Sequence, residues 1–161
     1  MVFIKNKFIL NIVLIFSIAT LIVAYFIEFI LGHQPCNLCI IERIPYFLAV
    51  ILIPLILFFN KYKKFISIVV GVFFALGAIV SFYHFGIEQG FFSESLICEL
   101  NNKDTASSTQ DLLKQLEKKT ISCKDVTYKV LGLSLATINT IISIILSVIM
   151  FKIGIIYEKN K

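Results

Sequence analysis

The sequence has little charge, few cysteines and no tryptophan. Only 16% of its 161 residues are charged whereas 58% are hydrophobic, and the mean hydropathy is +0.92. A water-soluble domain does not need so large an apolar fraction. The absence of tryptophan leaves tyrosine and phenylalanine as the aromatic anchors available at a membrane interface. The chain also has no C-x-x-C-H haem motif and no G-x-G-x-x-G dinucleotide motif, so neither cofactor is indicated.

What the chain does have is four long apolar stretches, at residues 8–30, 44–59, 65–85 and 130–151. A helix rises about 1.5 Å per residue and the hydrocarbon core is about 30 Å thick, so a span needs about 20 residues. The second stretch reaches that length only if its helix begins near Cys39 and includes Glu42 and Arg43. The sequence therefore predicts an all-α membrane protein, a four-transmembrane-helix bundle. It forms a single integral membrane domain over residues 1–161, with spans at about 8–30, 41–59, 65–87 and 130–151.

The N-terminal stretch has one alternative interpretation. Lys5 and Lys7 precede an apolar run, as they would in a secretory signal peptide. The run is longer than a typical signal-peptide core, and no Ala-x-Ala cleavage site follows it. We therefore expect the first stretch to be a permanent span.

The lysines predict the orientation. The short segments at both termini and between spans two and three hold one acid, Glu158, against eight lysines: Lys5, Lys7, Lys61, Lys63, Lys64, Lys152, Lys159 and Lys161. The positive-inside rule then places both termini in the cytoplasm and a long loop, about 88–129, outside. The net charge of +5 reflects this topology and does not indicate nucleic-acid binding.

All four cysteines lie in the outer half of this topology, where disulfides persist. Cys36 and Cys39 form a C-x-x-C at the entry to span two, and Cys98 and Cys123 lie in the long loop. Pairing Cys36 with Cys39 and Cys98 with Cys123 keeps each pair within its own loop. A zinc site needs a second clamp or well-spaced histidines, and His33 with His84 is no such pair, so no metal site is predicted.

The two pairs differ in what a disulfide would achieve. A bridge from Cys98 to Cys123 closes a long loop, so a purely structural role remains an alternative for it. A bridge from Cys36 to Cys39 closes almost no loop, which favours thiol exchange. The expected helix N-terminus stabilises a thiolate there, and Arg43 lies one turn beyond Cys39 on the same face. The alternative for Arg43 is an interfacial ion pair with Glu42 or contact with lipid phosphate.

Thiol oxidation releases two electrons per disulfide and requires an acceptor. A lipid-soluble quinone needs no nucleotide or haem motif, and it reaches a dithiol at the membrane rim. His84 falls at the outer end of span three, where it is either a hydrogen-bond donor to a quinone carbonyl or an ordinary interfacial histidine.

The outer loop has an amphipathic segment. Ser108 and Asp111 resemble a helix-capping box, and Leu112, Leu113 and Leu116 follow as a narrow apolar stripe. We expect a short amphipathic helix that either lies on the membrane surface or faces a partner.

Several motifs together resemble one known family. Residues 35–43 read PCNLCIIER and residues 83–88 read YHFGIE; Cys98, the DLLKQL run at 111–116, Cys123 and the LGLSL run at 131–135 follow in order. This pattern is similar to the bacterial disulfide-bond-formation protein B family, DsbB, from span one to span four.

The resemblance implies a membrane enzyme, a quinone-dependent thiol:disulfide oxidoreductase of the bacterial inner membrane. Its partner would be a soluble periplasmic thioredoxin-fold protein of the DsbA type, and its electron acceptor ubiquinone or menaquinone. The family pattern makes Cys98 the cysteine attacked by the partner and Cys123 its resolving mate. Cys39 would then face the quinone, which Arg43 and His84 would help to bind.

Two rival interpretations stay open. A vitamin K epoxide reductase-like protein also sets a C-x-x-C in a four-helix bundle, but there the loop cysteines come first along the chain. Alternatively, the chain is a small non-enzymatic membrane subunit whose disulfides only stabilise its loops.

Overall fold

The computed structural model describes residues 2–58, 62–93, 98, 123, 129–130 and 133–159. It contains five helices and two short strands within these residues: α1 (Val2–Phe29), α2 (Asn37–Ile41), α3 (Ile44–Phe58), α4 (Lys63–Glu88), β1 (Lys129–Val130), β2 (Leu133–Ser134) and α5 (Leu135–Lys159). The two strands pair antiparallel.

Four segments are long and apolar enough to cross a membrane: Lys7–Phe29, Asn37–Phe58, Lys63–Glu88 and Leu135–Tyr157. This result confirms the predicted all-α, four-helix membrane fold. The expected amphipathic helix after Ser108 lies outside the described residues.

The second span is made of two helices. α3 has only 15 residues, and the span reaches 22 residues because α2 precedes it. Glu42 and Arg43 lie in the turn between the two helices. Pro45 is tolerated in the first turn of α3. Because it has no N–H to donate to the carbonyl four residues earlier, a continuous helix from α2 into α3 would lack a hydrogen bond at this point. The break lets Glu42 and Arg43 point toward different neighbouring helices.

The fourth span begins later than the sequence predicted. Residues 129–130 pair antiparallel with residues 133–134, and α5 begins at Leu135, not at residue 130. The Ser134 hydroxyl accepts a hydrogen bond from the Thr137 amide at 3.2 Å, as a helix N-cap does. A short apolar run does not distinguish a strand from the first turn of a helix, which is why the sequence placed this boundary too early.

Helices α4 and α5 make the most extensive contact in the bundle. Small residues let the two backbones approach: a Cβ at Gly71 would lie 3.3 Å from the Phe151 ring, and the Ser147 hydroxyl donates to the Gly71 carbonyl at 2.9 Å. The outer faces of the helices carry exposed apolar side chains such as Ile22 and Ile79, as expected for surfaces in contact with lipid.

Candidate functional site

The C-x-x-C forms the start of α2. Cys36 has extended backbone (φ −70°, ψ 167°) and acts as the N-cap, its sulfur accepting a hydrogen bond from the Cys39 amide at 3.3 Å. Both are free cysteines. Hydrogen bonding from Cys39, and then from His84, lowers the pKa of Cys36 to about 5 against the opposing effect of burial. This lowered pKa favours the thiolate of Cys36, the reactive form of cysteine.

The second cysteine pair is oxidised. Cys98 and Cys123 are joined by a disulfide with their Cα atoms 6.0 Å apart, the pairing that the sequence favoured. Cys123 is buried together with Cys36, Leu38 and Ile87, and Cys98 packs against the same cluster. The disulfide and the free thiols thus share one end of the bundle, as any exchange between them requires.

His84 connects the free thiols to a buried carboxylate. It lies near the end of α4 and is 4% exposed. Its Nε2 is 3.6 Å from the Cys36 sulfur, and its Nδ1 is 2.8 Å from the Glu42 carboxylate. Both ring nitrogens therefore face groups of the chain. From the sequence, His84 was expected to help bind a quinone, and an ion pair between Glu42 and Arg43 was only the alternative to a functional role for Arg43.

The polar network continues from Glu42 into α5. The second oxygen of Glu42 accepts a hydrogen bond from the Asn139 side-chain amide at 2.8 Å. Tyr46, which is 2% exposed, donates a hydrogen bond from its hydroxyl to the Asn139 side-chain oxygen Oδ1 at 2.6 Å. Neither Tyr46 nor a role for Asn139 was predicted from the sequence. The available signal was their polarity within apolar spans, which usually marks a functional or packing contact.

Arg43 points away from Glu42 and toward α1. It forms an ion pair with Glu28 and lies 5.1 Å from the centre of the Tyr25 ring, a cation–π contact. Glu28 and Tyr25 were also missed, because neither is close to Arg43 in the sequence.

Glu88 is a second acid beside His84. His84 lies one helical turn before Glu88. One carboxylate oxygen of Glu88 is 3.9 Å from the His84 Nε2 atom. The other oxygen is buried, and none of the residues that the structure describes gives it a hydrogen bond. Buried polar atoms are rarely unpaired, so this oxygen can accept a further hydrogen bond.

A cavity of about 390 Å³ adjoins these groups, within the range of small-molecule sites. Its walls are mostly apolar side chains from α1 and α5, and its polar lining includes Cys36, Cys39, Arg43 and His84. An apolar cavity bordered by a guanidinium and a dithiol can hold an apolar molecule that carries hydrogen-bond acceptors. The cysteine sulfurs and a nitrogen of His84 also lie within 4.8 Å of one another, close enough to share a metal ion.

Four helices are long and apolar enough to span a membrane, and the dithiol and the disulfide lie in one cluster of side chains. These features define a multi-pass membrane protein that carries out thiol–disulfide chemistry. The family model described as "Disulfide bond formation protein DsbB" matches residues 6–153, and the chain belongs to that family. Membership makes it an oxidoreductase of disulfide-bond formation and confirms the family resemblance of its motifs.

One curated relative is similar over nearly the whole chain. It is an uncharacterized protein of Rickettsia prowazekii (strain Madrid E), 30% identical, and the match covers 98% of this chain and 94% of the relative. No solved structure matched the chain.

Proposed function

We propose that the protein reoxidises a soluble periplasmic thioredoxin-fold protein of the DsbA type and delivers the electrons to a membrane quinone, ubiquinone or menaquinone. The observation that carries the proposal is the cavity that borders both free thiols and the Arg43 side chain. Family membership supports the general chemistry.

The chain's residues fit a quinone in that cavity. A bound quinone would take up the two electrons and two protons that leave a dithiol when it becomes a disulfide. Arg43 has five N–H donors, and its ion pair with Glu28 leaves donors for a carbonyl oxygen. The apolar walls would exclude water from the ring.

Electrons enter through the loop disulfide. A thiolate of the reduced partner attacks Cys98, releases Cys123 as a thiolate and forms a mixed disulfide; the second partner thiol then completes the partner's disulfide. Cys98 and Cys123, now a dithiol, reduce a disulfide between Cys36 and Cys39. Each exchange breaks one S–S bond and forms another, so two electrons move inward without an external oxidant until the last step.

His84 serves the dithiol in this scheme. Its ring lies between the Cys36 sulfur and the Glu42 carboxylate, so it stabilises the Cys36 thiolate and holds a proton close to it. Its assignment as a quinone ligand remains a prediction, since a hydrogen bond to quinone would compete with Cys36 for Nε2.

The proposal includes an orientation of the protein in the bacterial inner membrane. Lys63 begins α4 and lies 5.6 Å from the ring of Tyr157 near the end of α5, whereas His84 lies near the opposite end of α4. The lysine-rich end would be cytoplasmic, with both termini, and the cysteine end periplasmic.

Anaerobic reduction of a defined quinone tests the proposal. Purified protein receives electrons from a reduced thioredoxin-like donor, and Cys39→Ser is compared with Cys98→Ser. We expect Cys39→Ser to abolish quinone reduction. Cys98→Ser should block electrons from the protein donor, but a small dithiol reductant should still drive quinone reduction through Cys36 and Cys39.

Normal turnover with the protein donor in either variant would contradict these roles. Maleimide trapping during turnover checks the non-enzymatic alternative, because disulfides that only stabilise loops would yield no new free thiols when reduced donor is added.

A further inference from the structure

We propose that the reduced C-x-x-C, together with His84, forms a binding site for a thiophilic divalent cation, Zn²⁺. The site exists only while Cys36 and Cys39 are thiols. The metal site rests on geometry alone; its inhibitory consequence, given below, also depends on the proposed function.

The ligand atoms match the geometry that zinc requires. Zn–S bonds of about 2.3 Å and Zn–N bonds of about 2.0–2.1 Å at tetrahedral angles place neighbouring ligands about 3.5–3.8 Å apart. The Cys36 sulfur and the His84 Nε2 are 3.6 Å apart, and the three ligand atoms, including the Cys39 sulfur, all lie within 4.8 Å of one another. Small rotations of two side chains would complete three corners of a tetrahedron.

The surroundings of His84 are those of a metal ligand. A metal-binding histidine usually hydrogen-bonds a carboxylate through its second nitrogen, which fixes the ring and raises its basicity. Glu42 makes this contact with Nδ1 at 2.8 Å, and Asn139 in turn holds Glu42 at 2.8 Å. Nε2 is thereby directed at the sulfurs.

The net charge of the ligands and the metal also favours zinc at this buried site. Two thiolates and a neutral imidazole around Zn²⁺ sum to zero, whereas two buried thiolates alone would be strongly disfavoured. The fourth position would take a water from the cavity. Glu88 lines the same cavity, and its oxygen that has no hydrogen-bond partner among the described residues can accept a hydrogen bond from that water.

Bound zinc would oppose the redox chemistry. Forming a disulfide between Cys36 and Cys39 requires both sulfurs to leave the metal, so the cation would inhibit electron transfer to quinone and protect the reduced dithiol. By linkage, oxidation of the pair would expel the metal.

The test uses the full chain with Cys98→Ser and Cys123→Ser, so that only this pair of thiols remains. The reduced protein is titrated in detergent with Co²⁺, whose thiolate charge-transfer absorbance reports the ligands, and Zn²⁺ is then used to displace it. We expect one Zn²⁺ per reduced chain and none after the pair is oxidised to a disulfide. Equal binding by the two redox states of this chain would overturn the site.

Variants of His84, of its support Glu42 and of the control His33 provide the matched comparison. His84→Gln should weaken Zn²⁺ binding at least tenfold, and Glu42→Gln should weaken it about 10–100-fold through the lost support of His84. His33→Gln should leave the affinity unchanged, because His33 lines the cavity outside the ligand cluster. Equal loss in His84→Gln and His33→Gln would refute the assigned ligand.

Quinone reduction driven by a small dithiol is measured in parallel with Zn²⁺ binding. Half-saturating Zn²⁺ should halve the rate, and a chelator should restore it. Turnover without metal binding would refute the zinc site and leave the proposed function intact. Metal binding with unimpaired turnover would instead contradict the redox role of this pair.

Discussion

Arg43 and Glu28 form an ion pair between the start of the second span's longer helix and the end of α1. The two residues are 15 positions apart, and their side chains are 14% and 23% exposed. The pair holds the Arg43 guanidinium at the wall of the cavity. Removing Arg43 and removing Glu28 should therefore affect ligand binding differently.

Arg43→Ala should raise the KM for quinone about tenfold to a hundredfold. A hydrogen bond from a charged group contributes about 1.5–3 kcal/mol, and 1.4 kcal/mol corresponds to a tenfold change in binding. Steady-state kinetics with varied quinone measures the change. Glu28→Gln is the control, because it keeps the guanidinium and should not raise the KM comparably; an equal rise in both variants would contradict a direct contact by Arg43.

Alkylation of Cys36 should depend on pH with a midpoint near 5. The thiolate is the reactive form, so the rate is high above the lowered pKa and falls as pH falls through it, whereas an ordinary cysteine loses reactivity below about 8.5. The rate is measured by peptide mapping after iodoacetamide treatment of the reduced chain carrying Cys98→Ser and Cys123→Ser.

His84→Gln removes one of the groups that lower the pKa of Cys36, so its midpoint should move to higher pH. His33→Gln provides the control and should leave the profile in place. A midpoint near 8.5 in the parent protein would show that Cys36 is not stabilised as a thiolate.

Asn139→Leu should lower the free energy of unfolding by about 1–3 kcal/mol for each polar group left unpaired, Glu42 and Tyr46. Denaturant unfolding in detergent measures the loss. Ser143→Ala is the comparison, because its contact with the Tyr46 hydroxyl is long, at 3.5 Å. If both variants lost the same stability, Asn139 would not be the centre of the network.

Gly77→Ala should destabilise the contact between α3 and α4. A Cβ at this position would lie 2.8 Å from Cγ of Pro45, whose ring cannot rotate away, and overpacking typically costs about 1–3 kcal/mol. Thermal unfolding in detergent gives the shift. Ile79→Ala lies on the lipid-facing side, 65% exposed, and should change little; no loss in Gly77→Ala would mean that α3 and α4 can separate without penalty.

The amino-acid sequence was sufficient to predict four spanning segments and the pairing of Cys98 with Cys123. Membrane crossing depends on apolar length, which is a local property, so the four spanning segments follow from hydropathy alone. The pairing of Cys98 with Cys123 followed from keeping each bridge within one loop. The start of α5 did not follow, because a strand and a helix compete for the same apolar residues.

The partners of Glu42 and Arg43 were decided only by the tertiary structure. The two are neighbours in the sequence, and successive residues of a helical turn point in directions about 100° apart. The turn between α2 and α3 thus sends Glu42 to His84, 42 positions away, and Arg43 to Glu28 on another helix. Local pattern fixes which residues are polar within an apolar span; which polar residues meet depends on how the helices pack, because their contacts join distant parts of the chain.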